Sequence, residues 1–326
     1  MSQSKPVVLV TGGAGFIGSH LIRRLLDDGC GVRVLDNLVT GKAANLDDMR
    51  ERIEWLEGSV TDAPEVARAV QGVDTIFHEA AIPSVPRSVR EPLEGNATNV
   101  DGTLNILNAA REAGVRRLVY ASSSSAYGDS PTMPKEETMT PAPLSPYAVA
   151  KLAAEHYCQV WHRVYGFETV ALRYFNVFGP RQDPQSEYAA VIPRFITAIL
   201  EDRPITIYGD GEQSRDFTYI DNVIDINILA MNTTGDALGQ TFNAACGERF
   251  SLNELVAQCG EIMGVEPEVQ YLDARAGDVK HSLASIEKAR ALLGYEPRVK
   301  FREGLERTVE FFQSVHNART PEPSET

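Results

Sequence analysis

The chain has 326 residues, 43% of them hydrophobic, and a net charge of −14 at neutral pH. That length can bury a large core in two lobes, and that charge argues against a nucleic-acid or anionic-membrane surface. Cys30, Cys158, Cys246 and Cys259 show no CxxC spacing and the histidines no metal-ligand grouping, so neither a zinc site nor a disulfide framework is expected. No apolar run approaches the roughly 18 residues of a membrane helix and no signal-like segment opens the chain, so a cytoplasmic protein is expected.

In chain order, β-favouring residues over 7–10 run into Thr11 and a glycine cluster, after which apolar residues recur at helical spacing from Phe16 to Leu26. Gly12, Gly15 and Gly18 give the spacing needed where a chain turns, approaches a pyrophosphate and packs a helix on a strand. The helix that follows offers unpaired N–H groups to the phosphates. Asp36 ends a second strand over 32–35, where a carboxylate accepts from a ribose diol and repels a 2′-phosphate, so NAD is expected rather than NADP.

Strands over 53–57, 75–78 and 117–122 alternate with a helix over 64–70 capped by Asp62, a Pro-rich loop over 80–92 and a long helix over 93–113. This alternation specifies an α/β fold, a doubly wound parallel sheet of Rossmann type, with ligands beyond the carboxyl ends of its strands. His78, Ala80, Ala81 and the Ser122, Ser123, Ser124, Ser125 run fall at those ends. A polar loop over 128–143 precedes a helix over 147–164 and a strand over 168–174. From about residue 176 helices over 190–200, 252–263, 286–292 and 303–315 surround short strands such as 205–208, a second, smaller mixed lobe. The expected division is 1–175 as the dinucleotide-binding domain, completed by 221–243, then 176–220 with 244–317 as the substrate lobe, and 318–326 as a disordered tail.

Tyr147 and Lys151 stand one helical turn apart and share a face. An ammonium beside the phenol is expected to lower its pKa and make it a general base, with a hydroxyl of the serine run relaying a proton. Arg215 and Arg275, in Gly-flanked loops of an acidic chain, are fork-shaped donors suited to a pyrophosphate.

TGGAGFIGSH at 11–20, DNL at 36–38, HEAA at 78–81, SSSSAYG at 122–128 and SPYAVAK at 145–151 continue into LRYFNVFGPRQ at 172–182, YGDGEQSRDFTYIDN at 208–222 and ARAGDVKHSLASIEKA at 274–289. Together these blocks resemble the extended short-chain dehydrogenase/reductase family, and within it the UDP-sugar 4-epimerases, closest to those acting on UDP-N-acetylhexosamines. The resemblance implies an NAD-dependent, reversible C4 epimerisation through a 4-keto sugar, with tightly bound NAD regenerated each turnover. It places Phe16, Ile17, Asp36, Asn37, Leu38, Thr40, Gly41, Ser59, Val60, Ala80, Ala81, Tyr147, Lys151 and Phe175 around NAD, and makes Ser123 the catalytic hydroxyl beside Tyr147 and Lys151. Relatives carry an Asp where this chain has Ser59, so the adenine contact is expected to be weaker or to come from Asp62. Ser124 and Ser125 stand where sugar dehydratases carry acids, which argues against water loss.

The same resemblance puts Arg215 and Arg275 on the UDP diphosphate with Asn176, stacks Tyr208 on uracil, and lets the backbone near Ala190 and Val191 read the base. It adds Arg87, Ser123, Ser124, Ser125, Tyr147, Asp278 and Ser282 to the sugar site. Ser282, with SVPRSV at 84–89, points to an acetamido sugar, because a small residue leaves room beside C2. It further implies a homodimer through the helices over 93–113 and 147–164, using Leu104, Ile106, Leu107, Val149, Leu152, Val160 and Trp161. Alternatives are another UDP-sugar enzyme of this fold (a uronate epimerase, a decarboxylase or a net oxidoreductase) and a non-catalytic NAD-binding protein. No nucleic-acid or membrane partner is expected.

Overall fold

Alternation along β1 (Val7–Thr11) sends Val8 and Val10 into one apolar cluster and Leu9 into another, so the strand is covered on both faces. The computed structural model describes residues 6–184, 190–274 and 280–319. β1 pairs in parallel with β2 (Gly31–Asp36) and β4 (Thr75–His78), β2 with β3 (Ile53–Glu57), β4 with β5 (Arg117–Ser123), and β5 with β6 (Glu168–Tyr174). The strand Gln240–Ala244 adds in parallel to the outer edge of β6, giving one seven-stranded sheet. Reversal of strand order beside β1 opens the crevice in which such sheets bind ligands.

The helix Phe16–Asp27 buries Leu21, Ile22, Leu25 and Leu26 on the sheet, and Ile220–Asn232 packs against it from the far part of the chain. In the second lobe Ile205–Tyr208 pairs in parallel with Val269–Leu272, and the helices Val191–Leu200, Leu252–Met263 and Phe301–Arg319 pack together. One apolar core runs from Val8 and Val10 through Phe178 and Phe195 to Leu255 and Leu305, so the two lobes share it. Among the described residues the four cysteines form no disulfide, and no helix is long and apolar enough to cross a membrane.

Several expectations need correction. The loop expected over 80–92 contains the helix Val85–Arg90, which Ser84 starts by accepting from Arg87 N, with Pro86 in its first turn. Proline there is a helix initiator, since its missing N–H is not needed. The helix expected over 93–113 runs unbroken from Pro92 to Glu112 but carries a π turn, Ala97–Asp101, between Pro92–Asn96 and Gly102–Glu112. Gly102 follows that turn because a Cβ there would stand 2.6 Å from Val60 Cγ2. Ile106 and Leu107, expected at a dimer face, are fully buried in the core of their own chain. The last helix reaches Arg319, into the tail expected from 318, and 320–326 lie outside the described residues.

Candidate active site

The glycine turn after β1 is set by close approach. Gly12 has φ +69°, and a Cβ on it would lie 2.6 Å from Ala80 N, while one on Gly18 would lie 2.4 Å from Gly12 O. No side chain caps the helix that starts at Phe16, which leaves its first N–H groups facing the crevice. At the end of β2, Asp36 accepts from Ala14 N at 2.9 Å and Leu38 N at 2.8 Å, and its burial raises the carboxyl above its usual range. A cradle without Cβ, a free helix N-terminus and a carboxylate at the next strand end fit a dinucleotide.

These groups line a cavity of about 520 Å³. It gathers Gly12, Gly15, Phe16, Ile17, Gly18, Asp36, Asn37, Thr40, Val60, Ala80, Ala81, Arg87, Tyr147 and Lys151 of the expected site. Leu38 and Gly41 shape the Asp36 turn from behind: Leu38 packs on the core, and a Cβ on Gly41 would lie 2.8 Å from Ala14 Cβ. Phe175 is buried in the core, and its neighbour Tyr174 lines the cavity instead. Side chains alternate along an extended chain, so only one of the two can face the ligand. Ser59 bonds Thr61 Oγ1 at 2.8 Å, and Asp62 accepts from Glu65 N through Oδ1 at 3.0 Å as the cap of the next helix. His78 is buried between Thr11 and Thr103 hydroxyls at 2.7 and 3.0 Å, and burial takes it down to about 3, so it is a neutral structural residue.

At the cavity floor the helix Pro146–Tyr165, capped by Ser145, aims Tyr147 and Lys151 inward. Ser123, at the end of β5, stands near the Tyr147 phenol and accepts from Ser125 Oγ at 2.8 Å. Burial pushes the Tyr147 pKa up, and the nearby Ser123 hydroxyl pulls it back only in part. The expected lowering by Lys151 is not what the chain alone produces. Lys151 Nζ donates to Ala121 O at 2.8 Å and lies 5.1 Å from the Tyr120 ring centroid, and its own pKa is lowered to about 8 by burial. Ser122 turns into the core to donate to Glu155 at 2.6 Å, leaving Ser123 as the hydroxyl on the phenol.

A second cavity of about 240 Å³ adjoins the first, and Ala190 lines both. It gathers Asn176, Val191, Tyr208 and Arg215 as expected, with Phe217 and Gln213 beside them. Arg215 Nη1 donates to Ser214 O at 3.0 Å and Lys280 O at 3.1 Å, which fixes its guanidinium at the rim. Asn176 Nδ2 donates to Asp216 O at 3.0 Å and Ser282 Oγ at 3.2 Å, so the amide is a brace of the wall rather than the free phosphate donor expected. Arg87 donates twice to Glu94, at 2.8 and 3.0 Å, and Ser124 and Ser125 sit in the turn after β5. Arg275 and Asp278 lie outside the described residues.

Residues 8–245 match the model of the NAD dependent epimerase/dehydratase family. The chain belongs to that family. A UDP-glucose 4-epimerase of Mycolicibacterium smegmatis is 40% identical over 94% of this chain and 98% of its own. The UDP-N-acetylglucosamine 4-epimerase of Methanobrevibacter ruminantium, solved with UDP-N-acetylmuramic acid, superposes with TM-score 0.91 at 42% identity, covering 96% and 100% of the two chains. The UDP-glucose 4-epimerase of Thermus thermophilus, solved with NAD, gives 0.86 at 40% identity over 94% and 99%. NAD is the cofactor of this epimerase/dehydratase member. Glu79 and Tyr174 in its cavity escaped the sequence reading, although Glu79 directly follows a strand end.

Proposed function

We propose that the chain catalyses reversible C4 epimerisation of a UDP-hexose, with UDP-N-acetylglucosamine and UDP-N-acetylgalactosamine as its preferred pair and UDP-glucose and UDP-galactose also accepted. The observation that carries this is the junction at Ala190 of a dinucleotide cavity floored by Tyr147 and Lys151 with a second cavity holding Tyr208 and Arg215. Bound NAD supplies a reversible hydride acceptor. Tyr147, assisted by Ser123, takes and returns the proton of the 4-hydroxyl, and Lys151 orients the ribose beside it. Arg215 and Tyr208 grip the UDP end, so that the hexose can turn while the nucleotide stays anchored. Within this reading 1–175 with 221–243 hold the cofactor, and 176–220 with 244–317 the nucleotide sugar.

The small Ser282, whose hydroxyl accepts from Asn176 and from Asp216 N at 3.4 Å, stands behind Asn176, which lines the second cavity. Ser282→Tyr fills the room beside C2 and is expected to suppress UDP-N-acetylglucosamine turnover while sparing UDP-glucose. Resolving the C4 epimers of each sugar by NMR, without added NAD, tests both the reaction and the gate. Equal handling of both sugars by parent and variant places the gate elsewhere. A UDP-glucuronate 4-epimerase of Thermodesulfobacterium geofontis is 36% identical over 92% of this chain, which makes a uronate the second reading.

Leu93, Val149, Val160 and Val164, on the helices Pro92–Asn96 and Pro146–Tyr165, are 84%, 52%, 44% and 62% exposed, an unpartnered apolar face supporting a homodimer. Light scattering at micromolar concentration is expected to give twice the chain mass. Val149→Glu with Val160→Glu should shift it to the monomer, and a monomeric parent refutes the dimer.

A further inference from the structure

Glu79 follows β4 and shares the wall of the cofactor cavity with Tyr174 and Lys151. The Tyr174 hydroxyl donates to Glu79 Oε1 at 2.8 Å. Asn227 Nδ2 donates to that hydroxyl at 2.8 Å and to Val223 O at 2.8 Å, so the carboxyl is tied to the helix Ile220–Asn232. Asn227 is fully buried, which makes this an anchored arrangement rather than a surface contact. Placing a carboxyl in a desolvated wall is unfavourable unless something opposes its charge, and an apolar residue would fill the same space without that cost.

The neighbours of Lys151 say what opposes it. On its own helix are Tyr147, Glu155 and Cys158. Glu155 is committed to Arg173 at 2.7 Å, and burial pushes the Cys158 thiol up. From β4 comes His78, neutral at ordinary pH, from β5 Tyr120 and from β6 Tyr174, both phenols raised far by burial. Among the described residues facing Lys151, Glu79 is the carboxyl with no cation already bonded to it.

We infer that Glu79 is a positioning residue, a carboxylate fixed by Tyr174 and Asn227 that keeps the Lys151 ammonium charged at the floor of the cofactor cavity. This rests on the assignment of Tyr147 and Lys151 as the acid–base pair. Desolvation drives the two groups towards each other, Glu79 up to about 7 and Lys151 down to about 8, while the charge of each works against the shift of the other. Removing the carboxylate therefore lowers the Lys151 pKa further, and the ammonium is lost at lower pH.

Glu79→Gln preserves the shape and leaves an acceptor for the Tyr174 hydroxyl while deleting the charge. In NAD-loaded protein labelled with ¹⁵N-lysine, the Lys151 signal, assigned by its absence from Lys151→Arg, should titrate about one pH unit lower in the variant. The pH at which the kcat/KM profile stops climbing should move down with it, and Glu79→Asp should return both most of the way. A Glu79→Gln titration that superimposes on the parent's overturns the inference, and so does a Glu79→Asp variant that behaves like Gln, which would assign the effect to packing. Tyr147→Phe separates this from the broader assignment. Full activity in Tyr147→Phe sinks the acid–base pair, whereas an inactive Tyr147→Phe beside a parent-like Glu79→Gln sinks only the role of Glu79.

Discussion

Tyr147→Phe is expected to reduce epimerase turnover by roughly 10²–10⁴ while the protein keeps its NAD and its melting temperature. The phenyl ring retains the packing of the parent side chain at the start of the helix Pro146–Tyr165. What disappears is the hydroxyl near Ser123, the group placed to take a proton from the 4-hydroxyl of the sugar. Because burial raises the phenol above its ordinary value, the parent has little phenolate at neutral pH, and its rate should climb as pH rises. The climb should end as Lys151 loses its proton near pH 8, giving a bell-shaped profile whose acid side the Phe variant lacks. C4-epimer NMR for turnover and absorbance for bound NAD check the two halves of the prediction. Activity within a few-fold of the parent would remove Tyr147 from its role.

Elements with strong local determinants were legible in the sequence. The helix Leu252–Met263 begins at a capping box between Ser251 and Glu254, and the helix Ala63–Ala69 at its Asp62 cap. The glycine turn and Asp36 were equally visible, since each is dictated by backbone approach along one stretch of chain. Features made by distant residues were not. The π turn at Ala97–Asp101 answers to Val60 against Gly102, and the strand Val269–Leu272 exists through its pairing with Ile205–Tyr208. The Tyr147–Lys151 spacing correctly put both side chains in one cavity. It could not reveal that Ala121 O takes the ammonium, or that desolvation outweighs the expected lowering of the phenol. Helical spacing likewise marked Ile106 and Leu107 as apolar without saying which surface would cover them.

Glu155→Ala should be the most destabilising single change near the site, by about 3–5 kcal/mol. Glu155 follows Lys151 by one helical turn, and its side chain is 0% exposed, with that of Arg173 at 4%. Its carboxylate accepts from Arg173 Nε at 3.0 Å, Arg173 Nη2 at 2.7 Å and Ser122 Oγ at 2.6 Å. Removing it strands a guanidinium that is already imperfectly satisfied, since Arg173 Nη1 is buried without a partner. Contact with the Tyr127 ring, 4.5 Å from Arg173 Cζ to its centroid, cannot replace an anion. Ser122 lines the cofactor cavity, so the same change should also weaken NAD retention. Replacing both partners reverses the logic, because Glu155→Leu with Arg173→Met leaves no uncompensated charge and recovers two desolvation costs. The double variant should therefore be more stable than Glu155→Ala in denaturant unfolding at unchanged m-value. Equal midpoints for the single variant and the parent would mean that water reaches Arg173 and that the ion pair contributes nothing to the floor beneath Lys151.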